Sequence, residues 1–413
     1  MPWREVSPMD AKEEFVRAAL RREESMEALC RRWGVSRTAG YHLLQRFMAE
    51  GAAAYRERSR APHRVPWAIP EARCEAILAL RDQRPHWGPK KLRAKLCEQA
   101  PDQPWPAHST IGDLLKRAGR VKPRRRRQHA QPSTVPLTAA VRPNLVWCID
   151  FKGWWRTQDG ARCDPLTVTD AYSRFLLCSE LLQRPDYQHS RSALERLFGE
   201  YGLPEVIRSD NGAPFASLGV GGLSRLGVWW VKLGILPQRI APAHPQQNGQ
   251  HERMHRTLKA EAATPAAANR AAQQCRLDQF RAEFNFQRPH EALGQTAPAE
   301  HYYPSARRYP SRLEDPAYPD GYELRRVRTN GEVRWESELV FIGEALCGEV
   351  IGLCENQFGD TEVYFGPLHL GTIDAVALRL RRPVSFSTER RGGLLPSSRS
   401  SHTKCQLCCR SKT

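Results

Sequence analysis

Two short apolar runs, each ending on an aspartate, constrain this chain more than any other feature. "LVWCID" closes on Asp150 and "PEVIRSD" on Asp210. Both are too short for helices and read as buried strands. Between them, "DPLTVTDAYSRFLLCSEL" reads as two strands joined by a turn at residues 170–173. A helical stretch follows at 190–201, with Ala193, Leu194, Leu197 and Phe198 on one side. After Asp210 come a short strand in "GILPQRIAPAHPQQNGQ" and a long helix opening at "HERMHRTLKAEAA". Strand, hairpin, helix, strand, helix, strand, helix is the pattern of a mixed α/β layer fold. Ligand-binding side chains gather at the strand ends of such sheets.

A third acid, Glu252, stands where a Pro/Gln/Asn/Gly loop enters that last helix. One acid alone reads as a surface residue or a cap. Three in such places read as an oxygen-ligand cluster for a hard cation, Mg²⁺ or Mn²⁺. Zinc is disfavoured, because no compact Cys/His set accompanies the acids. On the helix, Glu252, His255 or Arg256, and Lys259 share one face. The plain alternative is an amphipathic helix with a solvated Glu/Arg/Lys side. Asn285, Arg288, Pro289 and His290 read equally as structural bracing or as DNA backing. Trp229-Trp230, near a run of glycines, reads either as core or as part of a mobile element beside the site.

Charge points to a partner. The chain has 413 residues, 63 Lys and Arg against 45 Asp and Glu, and a formal net charge of +18. Residues 51–130 alone hold nineteen basic and seven acidic side chains. So concentrated a field favours a polyanion through phosphate contacts and counterion release, although a solubilising surface has the same composition. No apolar run approaches membrane-spanning length, and the twelve cysteines are scattered. A cytoplasmic, nucleoid-associated protein with reduced thiols, spread over several domains, is the expectation.

The amino-terminal third is helical. Phe15, Ala18, Ala19, Met26, Leu29 and Cys30 recur at helical spacing, and "RRWGVS" breaks the pattern before Tyr41, Leu44 and Phe47. Gly34 suits a tight turn, and Ser25 and Ser36 suit helix caps. Helix, short turn, helix is the unit that sets a second helix in a major groove. Arg37, Thr38 and His42 would then lie at the exposed start of that helix. A plain helical bundle has the same pattern. Residues 65–120 repeat the theme, with Ile77, Leu78 and Leu80, then Leu92 and Leu96, then a helix capped by Ser109. Residues 121–141 read as a basic linker in which Arg124, Arg125, Arg126 and Arg127 grip phosphate.

"WCIDFKG", "VTDAYSRF", "IRSDNGAPF", "HPQQNGQHERMHRTLK" and "FNFQRPHEALGQTAPAEHYYP" together resemble the integrase-type core of bacterial insertion-sequence DDE transposases, the IS481 group within the retroviral integrase superfamily. The resemblance covers about residues 142–304, or about 290 residues with the helical blocks. It implies an RNase H-like core with Asp150, Asp210 and Glu252 as catalytic and metal-binding triad. Asn248, Arg256 and Lys259 become contacts to DNA. Two metal ions about 3.5–4 Å apart would serve the reaction, with Asp150 bridging them. A "SMEALCRRWGVSRTAGYHLLQRF" helix-turn-helix and a second such module before the core fit the same group. The His-His-Cys-Cys zinc domain of retroviral integrases has no counterpart in the early cysteines.

Residues 321–383 carry short strand-like runs with an Asn330-Gly331 hairpin signal. They resemble the small SH3-like β-barrel found after such cores, and Arg325, Arg326, Arg328 and Arg334 offer it a basic surface. Residues 304–321 read as a linker and 384–413 as a disordered basic tail. Cys405, Cys408 and Cys409, with His402, make a weak zinc signal there. The domain expectation is therefore 1–60, 65–120, the 121–141 linker, 142–304, 321–383 and the tail. The functional expectation is a DDE transposase that cleaves element ends and transfers strands into target DNA as a dimer or larger assembly. An idle DNA-binding protein, or an RNase H-like nuclease without strand transfer, are the alternatives.

Overall fold

The computed structural model describes residues 7–57, 69–121, 137–216, 223–240 and 248–381. The chain divides into two compact units, residues 1–70 and 71–413.

In the first unit α1 (Pro8–Arg21), α2 (Met26–Trp33) and α3 (Arg37–Glu50) enclose Phe15, Val16, Leu29, Cys30 and Tyr55. Ser25 and Ser36 each accept from the backbone N–H three residues on, at 3.2 Å, and so cap α2 and α3. Gly34 takes φ 64° between them, a conformation that favours glycine. Gly40 lets α3 close on α2, since a Cβ there would meet the Cys30 sulfur at 2.6 Å.

The second unit opens with α4 (Glu71–Gln83), α5 (Pro89–Gln99) and α6 (His108–Arg117) around Ile77, Leu92, Leu96, Ile111 and Leu115. Trp87 completes this core. Ser109 was expected to cap α6, but the helix already begins at His108, and Ala107 holds the cap position. These helices dock on the integrase-like core. Arg84 pairs with Glu283, Lys90 with Glu291, and the Lys91 ammonium donates to the Pro289 carbonyl. The Arg288 guanidinium lies 6.0 Å from the Trp87 ring centre.

The central sheet is built from β1 (Val146–Phe151), β2 (Trp155–Arg156), β3 (Arg162–Asp170), β4 (Leu176–Leu182), β5 (Val206–Ser209) and β6 (Leu236–Arg239). β4, β3 and β1 are antiparallel neighbours, and β1, β5 and β6 run parallel. This is the RNase H-like order. One face is covered by α7 (Tyr187–Tyr201) and α8 (Arg225–Lys232), with Trp147, Phe198, Trp229 and Trp230 at the centre. The other is covered by α9 (Gly249–Glu261) and α10 (Arg270–Phe286), through Met254, Leu258, Leu277, Phe280 and Phe284. Trp229-Trp230 is thus core.

A free strand edge invites pairing with another chain. Here α10 saturates the outer edge of β4 with side chains. Asn285 accepts from the Leu176 N–H at 2.7 Å and donates to the Leu176 carbonyl at 3.0 Å. Gln274 does the same for Leu181 and Ser179, and Arg281 donates to the Leu177 carbonyl. Arg288, 7% exposed, is paired with Glu261 at 2.8 Å. Asn285 and Arg288 are therefore bracing.

The carboxy-terminal strands are β7 (Glu323–Arg326), β8 (Glu332–Trp335), β9 (Glu338–Phe341), β10 (Val350–Glu355), β11 (Thr361–Phe365), β12 (Leu368–Asp374) and β13 (Arg379–Arg381). They form one nearly closed barrel sheet in the order β7-β10-β11-β12-β13-β9-β8. The two-residue hairpin is Glu336-Ser337, both at positive φ, rather than Asn330-Gly331. Gly331 instead leaves room for Phe341, whose ring a Cβ would meet at 2.8 Å. Val228 and Val231 of α8 enter the barrel core, and Lys232 bonds Glu349 at 2.7 Å. Residues 304–321 are an ordered strap. Arg307 donates to the carbonyls of Leu233 and Gly234 at 2.9 Å, and the Tyr318 hydroxyl to Val350 at 2.7 Å. The carboxy-terminal tail with its cysteine cluster lies outside the described residues.

Candidate active site

Strand register brings the first two acids together. Cys148 pairs with Arg208 in the parallel β1–β5 ladder. Two residues further along each chain stand Asp150 and Asp210, on strands about 4.8 Å apart. Asp210 turns back locally, accepting from the Gly212 N–H at 3.1 Å. Glu252 sits in the first turn of α9, exposed. Burial, then the Asp210 charge and a smaller push from Glu252, raise the Asp150 carboxyl to about 7. The three acids come from three elements and act on one another.

Side-chain alternation explains what lies beneath them. Trp147 and Ile149 point into the α7–α8 face, so Asp150 points to the opposite one. Thr167 is its cross-strand partner. On α9, His251, His255 and Leu258 form the buried face, and Glu252, Arg256 and Lys259 the exposed one. Both imidazoles reach Thr167. His251 Nε2 is 2.8 Å and His255 Nε2 2.6 Å from its hydroxyl, and His251 Nδ1 is 2.8 Å from Thr169 Oγ1. The Thr167 hydroxyl donates to the Asp150 carbonyl at 3.0 Å. Burial pushes His251 down to about 3 and His255 down to about 2, so both are neutral.

Among the described residues, Asp150, His251 and His255 are the one group of three whose possible ligand atoms lie within 4.8 Å of one another. Three of the four imidazole nitrogens are already engaged by threonines, and His255 Nδ1 is 3.7 Å from Asp150. These histidines lock α9 to β3. Sequence reasoning missed the lock. Its signal was threonine at alternate positions of "LTVTD" facing histidines four apart in "HERMH".

Arg37, Thr38 and His42 are exposed on the first turns of α3, where Tyr41 joins them. Arg124, Arg125, Arg126 and Arg127 lie outside the described residues. Asn248 precedes α9 and is buried, 5% exposed, with its side-chain oxygen unpartnered among the described residues. The resemblance makes it a contact to the DNA end. Tyr172 is partly exposed in the β3–β4 turn, and Ser209 is buried in β5. Asp170, a fourth acid, is consumed by the turn. It accepts from Asn144, from the Ser173 N–H and from the Ser173 hydroxyl at 2.6–2.8 Å.

A model of the integrase core domain matches residues 140–245, a second integrase core domain model matches 233–298, and a homeodomain-like domain matches 39–115. An uncharacterized 31.7 kDa protein of insertion element IS407 from Burkholderia multivorans is 27% identical over 230 residues, 54% of this chain and 78% of that protein. The Gag-Pol polyprotein of baboon endogenous virus is 30% identical over 194 residues, 46% of this chain but 10% of the polyprotein. The chain thus spans about a tenth of that viral relative's length. Among solved structures, the HTLV-2 integrase catalytic core domain in complex with magnesium is similar at 14% identity and TM-score 0.32, covering 40% of this chain and 99% of that one. Among the described residues no helix is long and apolar enough to cross a membrane.

Proposed function

The chain belongs to the integrase-type transposases of insertion sequences, and from that premise we propose that it binds the ends of a mobile element, cleaves them at the 3′ side and transfers the freed strands into target DNA. The observation that supports the reading is the β1–β5 register, which sets Asp150 and Asp210 at neighbouring strand ends, with Glu252 near enough for its charge to push the Asp150 carboxyl up. An all-oxygen set whose central member is held partly protonated by burial and then by its acidic neighbours fits a divalent cation, because positive charge there offsets both penalties. Asp150, Asp210 and Glu252 would hold Mg²⁺ or Mn²⁺, two ions in full, which activate the attacking oxygen and stabilise the leaving one.

The chain's own residues supply the rest. The exposed face of α9 offers Arg256 and Lys259 to phosphate beside Glu252. The buried face of the same helix fixes its distance from Asp150 through Thr167. Arg37, Thr38 and His42 on α3 read the element end. Attack by water frees a 3′-hydroxyl, and attack by that hydroxyl on target DNA expels a target 3′-oxygen. One phosphodiester replaces another in the second step, so the chemistry needs no nucleotide triphosphate. Joining two ends in one event requires two active sites, hence at least a dimer on DNA.

The test incubates full-length protein with Mg²⁺ and DNA bearing the element ends, and maps the products. Cleaved 3′ ends and joined target strands are expected. Cleavage without joining would leave a nuclease, and binding without products an idle core. Asp150→Asn and Glu252→Gln should lose both products while keeping end binding. Full strand transfer by either variant would overturn the triad.

A further inference from the structure

Four residues beyond Asp150, the consecutive tryptophans of "FKGWW" part company. Trp155 starts β2 and packs against the core of Cys163, Leu176, Met254 and Leu258. Trp154 points the other way and is 57% exposed. Two cations frame it. The Arg162 guanidinium lies 5.0 Å and that of Arg156 5.8 Å from the Trp154 ring centre. Neither depends on the indole for its position. Arg162 is gripped by both oxygens of Asp164 at 2.7 and 2.8 Å, and Arg156 donates to the Gly160 carbonyl at 2.7 Å. The ring therefore stands in a preset basic frame. Lys152 fills the interval back to the acids, close enough for its charge to feel both Lys259 and Asp150.

A half-exposed indole that carries two guanidiniums over its ring matches what single nucleic-acid strands bind: a base stacks on the exposed part of the ring while the backbone follows the positive charge. A protein partner could also bury a tryptophan flanked by arginines, but the position four residues from Asp150 favours the DNA strand, and the assembly mass measured below separates the two. We propose that Trp154, between Arg156 and Arg162, is a stacking platform for one unpaired base of the DNA strand whose scissile phosphate lies at Asp150. The proposal rests on the reading of Asp150 as a catalytic aspartate. Four residues of extended chain span at most about 13 Å, and a DNA strand advances about 3.4 Å per nucleotide. The stacked base is thus within about four nucleotides of the cut. Holding it out of the duplex keeps the end frayed and the reacting phosphate accessible.

The experiment uses full-length protein and element-end DNA carrying 2-aminopurine at single positions near the cut, in a paired and in a frayed form. Wild type and Asp150→Asn should change the fluorescence at one position within about four nucleotides of the cut. Trp154→Ala should lose that signal and bind frayed ends about tenfold more weakly, with a smaller loss for paired ends. Trp154→Phe should recover much of both, and this variant keeps the test decisive if the alanine variant is unstable. An unchanged 2-aminopurine signal in folded Trp154→Ala would overturn the platform. So would a change of assembly mass with unchanged signal, which would make the indole a protein contact. A Trp154-dependent signal without any Asp150-dependent cleavage would uphold stacking and overturn the catalytic reading. Cleavage that needs Asp150 but ignores Trp154 in the fluorescence assay would do the reverse.

Discussion

Thr167 Oγ1 lies 2.6 Å from His255 Nε2, and that contact fixes more than two residues. The Thr167 hydroxyl has one proton, which goes to the Asp150 carbonyl. Its oxygen then accepts from both His251 Nε2 and His255 Nε2, so both rings carry their proton on Nε2. His251 Nδ1 is left to accept from Thr169, and His255 Nδ1 faces the Asp150 carboxyl at 3.7 Å without a proton. One threonine hydroxyl thus ties the backbone of Asp150 to the helix that carries Glu252. The spacing of two acids, one on a strand and one on a helix, is held by groups that carry no charge of their own.

Replacing that hydroxyl tests the tie. Thr167→Val keeps shape but strands two buried imidazole N–H groups, a cost of roughly 1–3 kcal/mol for each unsatisfied group. The melting temperature should fall, Mn²⁺ binding measured by electron paramagnetic resonance should weaken, and DNA-end binding should stay near wild type. Thr167→Ser should restore both stability and metal binding. Valine with wild-type metal affinity would mean that the hydroxyl only packs.

Asp150 makes stability depend on pH in metal-free protein. Its folded value, about 7, lies above the ordinary carboxyl value of 3.8. Between those values the folded state holds a proton that the unfolded state has released, so stability falls as pH rises from about 4 to about 7. Asp150→Asn removes the penalty. In EDTA the variant should melt a few degrees higher than wild type at pH 8 and equally near pH 4. Added Mg²⁺ should stabilise the wild type and leave the variant nearly unmoved. Equal melting at both pH values would show that Asp150 is not under the strain described.

Much of this was legible in the chain. Asp150 and Asp210 could be read because apolar runs ended on them, and Ser25, Gly34 and Ser36 because caps and tight turns use few residue types. Other features depend on contacts distant in sequence. The Thr167–His255 tie spans 88 positions, and each residue alone looks like an ordinary strand threonine or helix histidine. The strap at 304–321 looked like a linker because Pro, Arg and Tyr lack periodicity, yet Arg307 finds three carbonyls far upstream. The Asn330-Gly331 signal was real turn chemistry, but barrel closure placed the hairpin six residues later. Whether Trp229 and Trp230 were core or mobile depended on a second core, the barrel, closing over the outer side of α8.

The docking of α4–α6 is polar, so it should respond to charge removal. Arg84 and Glu283 are each less than one-third exposed, whereas Lys90 and Glu291 are more open. Glu283→Ala should therefore loosen the module more than Glu291→Ala, with each pair contributing about 1 kcal/mol or less. Hydrogen exchange of residues 71–121 should accelerate in the double variant, more at low salt than at high salt relative to wild type. Unchanged exchange would mean that Trp87 against Arg288 and the Lys91–Pro289 bond suffice.

Cleavage in trans, on the reading proposed above, can be tested by mixing protomers. The α4–α6 module is tied to the core of its own chain through Arg84, Lys90 and Lys91. The α1–α3 helices belong to the other compact unit, residues 1–70. If one protomer cuts the end held by its partner, α1–α3, with Arg37 and His42 exposed on α3, is the block whose exchange can be tested. An Asp150→Asn protein with intact α3 should bind ends without cutting them. A protein with Arg37→Ala and His42→Ala should keep its acids but lose the end. Mixed in equal amounts, the two should recover cleavage that neither shows alone, because intact α3 of one delivers DNA to intact acids of the other. Adding Glu283→Ala to either partner should not be needed for recovery. Mixed dimers that form, as shown by mass, yet stay inactive would place end recognition and cleavage on the same chain.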